Sequence, residues 1–169
     1  MQGSWFSPPR RGRFSAVEAS DTGGDGARTG GCMCGGVRWQ LSEKPLGAGC
    51  CHCKRCQRRT GTAFSLSVLT APGTFGLTKG EDLLRSWSAG DGWTKYFCGE
   101  CGSQVMTTNP EDDTAVALRM GGFDEDPDVQ IFFHQYTNYA PAWAPVADDG
   151  LPRYPERIDT GYDPRNPPT

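Results

Sequence analysis

The sequence predicts a mainly β fold with one short helix, organised by metal. Three observations carry this. Of 169 residues, 23 are Gly and 13 are Pro, a composition that suits many short strands and turns rather than a helical bundle. Short runs of alternating apolar and polar residues recur roughly every 10 to 15 residues, as in all-β domains. The 8 Cys are clustered rather than scattered.

The elements follow in order. Residues 1–29 are rich in Gly, Ser, Arg and Pro without periodicity and read as a disordered tail. Its Arg10, Arg11 and Arg13 read as solvated charges. Residues 30–155 form one folded domain, consistent with the length. Residues 156–169 read as a Pro-rich tail. Within the domain, Val37–Leu41 alternates as a half-buried strand does. Phe64–Leu69, Leu83–Trp87, Lys95–Cys98, Gln104–Thr107, Thr114–Met120 and Val129–Gln135 are further strand candidates. Turns separate them at Ala71–Gly73, Lys79–Asp82, Gly90–Gly92 and Asn109–Glu111. The one helix candidate is Lys54–Thr60, closed by Gly61.

Several classes are excluded. The longest uncharged run, Thr60–Thr78, is interrupted by Gly61, Pro72, Gly73 and Gly76, so no stretch approaches the ~20 apolar residues of a membrane span. The N-terminus lacks the apolar core of a secretory signal. The expectation is a cytoplasmic protein with reduced thiols. The net charge of −3 supplies no basic footprint for nucleic acid.

The cysteines carry the chemistry. Cys32-Met33-Cys34 is flanked by glycines. Cys50-Cys51-His52-Cys53-Lys54-Arg55-Cys56 lies in the middle. Cys98-Gly99-Glu100-Cys101-Gly102 has the form of a zinc knuckle. Paired ligands grip one side of a tetrahedral ion, and a second pair from elsewhere closes it. Cys32, Cys34, Cys98 and Cys101 are therefore assigned to a closed, structural zinc. Cys51, Cys53 and Cys56 are left to hold a second zinc with one position open, the form of a catalytic site. Lys54, Arg55, Arg58 and Arg59 stand beside it as cations. Cys50 or His52 as a fourth ligand would close that site instead. Alternation turns His52 away from the side shared by Cys51 and Cys53, and Cys50 reads as a small buried residue. His134, in an apolar strand, reads as a hydrogen-bonded core histidine.

These motifs, in this order, resemble the glutathione-dependent formaldehyde-activating enzymes, a group that also includes centromere protein V. The resemblance is carried by Gly-Gly-Cys32-Met-Cys34-Gly-Gly-Val-Arg-Trp, Cys51-His-Cys53-Lys-Arg-Cys56-Gln-Arg-Arg-Thr-Gly and Cys98-Gly-Glu-Cys101-Gly-Ser. Ala140-Pro141-Ala142-Trp143 and Asp149-Gly150-Leu151-Pro152 extend it. It implies a zinc-bearing β-tent of two small antiparallel sheets and two Zn2+ per chain. It implies the same partition of ligands, with Cys51, Cys53 and Cys56 at the active site. It also implies carbon–sulfur lyase chemistry, in which a small-molecule thiol, glutathione or similar, adds to formaldehyde or a related aldehyde. Arg58 and Arg59 are the candidates for holding an anionic thiol. A zinc hydrolase on the same fold, a non-enzymatic zinc-binding interaction module and a thiol–disulfide oxidoreductase are the alternatives. No βαβ pattern supports the last of these.

Overall fold

The computed structural model describes residues 14, 28–90, 93–109 and 112–158. Among them are eleven strands and one α-helix: β1 (Arg28–Gly31), β2 (Arg38–Leu41), β3 (Gly47–Cys51), α1 (Lys54–Thr60), β4 (Ser65–Leu69), β5 (Phe75–Lys79), β6 (Leu84–Ser88), β7 (Thr94–Cys98), β8 (Gln104–Thr108), β9 (Val116–Arg119), β10 (Ile131–Gln135) and β11 (Arg153–Tyr154). They form two sheets, a small one in the order β1-β2-β5 and a large one in the order β11-β10-β3-β4-β9-β8-β7-β6. The fold is mainly β with two sheets and one helix, as expected. The large sheet runs to eight strands, and β10 pairs in parallel with both β3 and β11. Alternation reports only which residues face inward, so it carries no information about strand direction.

The helix occupies the expected Lys54–Thr60, and Gly61 ends it with φ of 68°. Only glycine adopts that left-handed conformation without a Cβ penalty. The seven strand candidates all contain strands, with ends shifted by a residue or two. The candidate Thr114–Met120 shrinks to β9, because Asp112 accepts from the Thr114 amide and hydroxyl and holds that end in a turn. Four strands had no signal: β1, β3, β5 and β11. The case of β3 is instructive. Its sequence is Gly-Ala-Gly-Cys-Cys, which is poor in strand formers. A Cβ on Gly49 would meet Cζ of Phe133 at 2.3 Å, and one on Gly47 would meet Cε2 of Phe132 at 2.2 Å. The small residues exist because the β10 phenylalanines lie over them, which no local pattern reveals.

The core lies between the sheets. Val37, Trp39, Leu41, Phe75 and Leu77 from the small sheet side meet Leu84, Tyr96, Val105, Met106, Val116 and Leu118 of the large sheet. The Trp39 ring packs edge-on against Phe123 at 4.7 Å. Phe14, inside the segment read as a tail, is buried in this core. It makes edge contacts with Phe75 and Tyr96 at 6.0 and 5.2 Å, and its carbonyl accepts the Leu77 amide. The remainder of 1–27, with Arg10, Arg11 and Arg13, lies outside the described residues, as do 159–169. The expected turns at Gly90–Gly92 and Asn109–Glu111 lie partly outside them.

Candidate metal centres and the cleft beside them

The first cluster joins the two sheets. Cys32 and Cys34 lie in the turn between β1 and β2. Cys98 ends β7, and Cys101 lies in the turn to β8. Each turn is built by its own hydrogen bonds. The Cys32 sulfur accepts the Val37 amide at 3.2 Å, and the Gly102 amide donates to the Cys98 carbonyl at 2.9 Å. The Met33 amide donates to the Ser103 hydroxyl at 3.1 Å and ties the turns together. The four sulfurs all lie within 4.8 Å of one another, with Cys32–Cys34 at 3.4 Å and Cys34–Cys98 at 3.9 Å. A tetrahedral ion with bonds of about 2.3 Å sets its sulfurs roughly 3.8 Å apart, so this donor set fits zinc. Cys32 and Cys98 belong to the hydrophobic core, and Cys101 packs against it. The Ser103 hydroxyl and amide hold the Cys101 thiol down to about 5.

The second cluster consists of Cys51 at the end of β3, Cys53 at the N-cap of α1 and Cys56 in its first turn. Their sulfurs also lie within 4.8 Å of one another. The Cys53 sulfur accepts the Cys56 amide at 3.4 Å, so the helix start is capped by a donor atom of the cluster. Hydrogen bonds from the Cys51 and Cys56 thiols hold Cys53 down to about 2, and the same contacts push Cys51 up. Three thiols this close cannot all ionise without a cation between them, and a dication would let them do so. All eight cysteines are free. Among the described residues this cluster offers three candidate ligands and the first offers four.

Neither alternative fourth ligand joins the second cluster. Cys50 is buried, and burial, with Asp149 adding to it, pushes its thiol up to about 11. His52 is 1% exposed, and its Nε2 lies 2.9 Å from Nδ1 of His134. His134 is a buried, hydrogen-bonded histidine whose Nε2 reaches Oδ2 of Asp149 at 2.9 Å.

The cations separate sharply. Successive helix residues point about 100° apart. Arg58 is exposed and makes no side-chain hydrogen bond or ion pair among the described residues. Arg59 turns inward, with Nη1 3.5 Å from the Thr107 hydroxyl. Arg119, on β9, was not signalled by the sequence. It donates through Nη1 to the Ser65 and Ser67 hydroxyls and through Nη2 to Thr107 at 2.7 Å. Burial pushes the guanidinium below its usual range, while negative charge on Cys56 and Cys51 works the other way. Its only sequence signal is a charge in a strand facing the small hydroxyls of β4 and β8, and recognising that requires the strand order.

A cleft of about 740 Å³ extends from Cys32 and Cys101 of the first cluster to Arg59, Thr60 and Arg119. On its rim, Arg38 and Asp124 form a two-pronged ion pair, with Nη1 and Oδ1 2.9 Å apart. Tyr136 stands near Cys51 and Cys53 of the second cluster. Its backbone is left-handed, with φ of 58°. Burial first, then the thiolates of Cys51 and Cys53, push its phenol up.

Comparison with known proteins adds the following. Residues 27–138 match the model of a family described as glutathione-dependent formaldehyde-activating enzyme. The crystal structure of a Rhodobacter sphaeroides protein, a structural-genomics target, is similar at 19% identity, covering 61% of this chain and 98% of that one, with a TM-score of 0.49. Among curated proteins, none matches this chain.

Proposed function

This chain belongs to the glutathione-dependent formaldehyde-activating enzyme family, and on that premise we propose that it is a carbon–sulfur lyase-type enzyme. It adds a low-molecular-weight thiol, glutathione or a similar one, to formaldehyde or a related aldehyde. The thiol sulfur bonds to the carbonyl carbon, the thiol proton ends on the carbonyl oxygen, and the product is an S-hydroxymethyl adduct. The observation that carries the reading is the contrast between the clusters: four sulfurs within reach of one ion, which would close a tetrahedral site, and three within reach of another, which would leave one position.

Cys32, Cys34, Cys98 and Cys101 would hold a structural zinc. Cys51, Cys53 and Cys56 would hold a second zinc with one position for reactants. Bound there, zinc supplies Lewis acidity, which lowers the pKa of a thiol or polarises a carbonyl oxygen. The protein supplies the rest. Three thiolates around a dication leave one negative charge, and Arg119 beside Cys51 and Cys56 offsets it. Arg59 and Arg119 both line the cleft and favour a thiol that carries carboxylates. The cleft volume lies within the usual range for small-molecule sites. Free thiols throughout fit a reducing compartment such as the cytoplasm. Among the described residues no helix is long and apolar enough to cross a membrane.

The test is the rate of hemithioacetal formation from formaldehyde with glutathione and other small thiols. A rate above the uncatalysed background for at least one thiol is expected. Background rates for every thiol would refute the activity.

A further inference from the structure

We infer that Asp149, His134 and His52 form a buried positioning relay that orients the Cys51-His52-Cys53 turn, so that a loop beyond the family-matched residues helps to build the three-thiol centre. The inference rests on the reading of Cys51, Cys53 and Cys56 as metal ligands.

The relay is continuous. Asp149 Oδ2 lies 2.9 Å from Nε2 of His134, and His134 Nδ1 lies 2.9 Å from Nε2 of His52. The two imidazoles are 4% and 1% exposed. A carboxylate only accepts, so His134 carries a hydrogen at Nε2. His134 Nδ1 and His52 Nε2 share the single hydrogen between them. The carboxylate thus orients the His134 ring directly and the His52 ring through it.

The relay also has fixed ends. The Leu151 amide donates to Asp149 Oδ1 at 3.1 Å, and the His134 amide donates to the Pro152 carbonyl at 2.9 Å. At the other end, the His52 amide donates to the Gln135 carbonyl at 3.0 Å. The His52 carbonyl accepts Nε2 of Gln57 in α1 at 2.6 Å. The middle residue of a Cys-x-Cys turn is therefore held by side chain, amide and carbonyl together. With His52 drawn into the protein, its two neighbours project their sulfurs to the other side, where Cys56 completes the cluster. Partners of this kind around a metal centre are worth roughly 10–100-fold in metal affinity.

The experiment titrates Co2+ into full-length, metal-free protein and follows the thiolate-to-cobalt absorption. A Cys53→Ser/Cys56→Ser variant identifies the signal of the other cluster. Wild type should take up about two equivalents. Asp149→Ala should weaken the three-thiol centre about 10–100-fold and leave the four-thiol centre unchanged. Asp149→Asn, whose carbonyl oxygen still accepts from His134, should restore most of the affinity. Wild-type affinity in Asp149→Ala, or equal weakening at both centres, would overturn the relay. Uptake of a single equivalent by wild type would instead refute the three-thiol reading. Imidazole 15N shifts are read in parallel and do not depend on metal: the His134 hydrogen should be fixed at Nε2 in wild type and released in Asp149→Ala, and unchanged shifts would also overturn the relay.

Discussion

Arg59 and Arg119 are 60 positions apart in the chain and meet at one oxygen. The Thr107 hydroxyl lies 3.5 Å from Nη1 of Arg59 and 2.7 Å from Nη2 of Arg119. Each guanidinium also keeps a buried nitrogen without a partner, Nη2 of Arg59 and Nε of Arg119. Two like charges sharing one neutral acceptor are under-neutralised, and an anion in the cleft relieves them.

The first prediction concerns these cations. Arg119→Met should lower kcat/KM for thiol addition by about 10–100-fold, the size of one charge-assisted hydrogen bond. Arg59→Met should act mainly through KM of a carboxylate-bearing thiol. Arg58→Ala should leave the rate unchanged, because that side chain is exposed and unbonded. Steady-state kinetics with glutathione and with an uncharged thiol check all three; equal effects from Arg58 and Arg59 would contradict the assignment.

The second prediction separates the two clusters. Cys53→Ser/Cys56→Ser should halve the zinc per chain and keep the fold, since neither residue belongs to the core. Cys98→Ser/Cys101→Ser should lose the fold, because a closed site contributes folding free energy directly and Cys98 is fully buried. Zinc analysis together with thermal unfolding reads both outcomes.

A third concerns Gly49. Valine there would collide with the Phe133 ring, which stands 2.3 Å from the position of a Cβ. The expected cost is about 1–3 kcal/mol, seen in denaturant unfolding. Because β3 carries Cys51 to the cluster, the variant should also bind less metal at the three-thiol centre. Gly49→Val with wild-type stability would show that β10 moves aside freely.

The fourth concerns acid. Asp124 bridges Thr29 at 2.6 Å and Arg38 at 2.9 Å, and these bonds, Arg38 first, hold its carboxyl below the usual range. A lowered folded value means that the contribution is present above the unfolded carboxyl value of about 3.9 and is lost as pH falls through the folded one. The pair is partly exposed, so the effect should stay below about 1 kcal/mol. Thermal unfolding at neutral and acid pH should show a smaller acid loss in Asp124→Asn than in wild type. An identical acid loss would remove Asp124 from the account.

Much of the fold was legible because it is written locally. Alternation marked the strands that have one buried face, and Gly61 marked the end of the helix. The unmarked strands are those whose composition answers to a neighbour, as β3 answers to the phenylalanines of β10. The tail reading missed Phe14, a single aromatic whose burial depends on Phe75 and Tyr96 far along the chain. At the site, cysteine spacing singled out both clusters, and alternation turned His52 away from the metal side. Arg119 and Tyr136 were invisible, each being an ordinary residue type in an unremarkable local context, and Asp149 was marked only as part of the Asp149-Gly150-Leu151-Pro152 resemblance, with no role attached.

By itself, the sequence determined the two cysteine groups that could hold a metal and the fold class, because thiol spacing and hydrophobic period are short-range properties of a chain. The tertiary structure alone decided that Arg119, and not Arg58, stands beside Cys51 and Cys56. It also decided that a carboxylate near the end of the domain reaches the turn between Cys51 and Cys53. These are through-space relationships set by strand order and by the parallel pairing of β3 with β10, and no short-range pattern encodes either one.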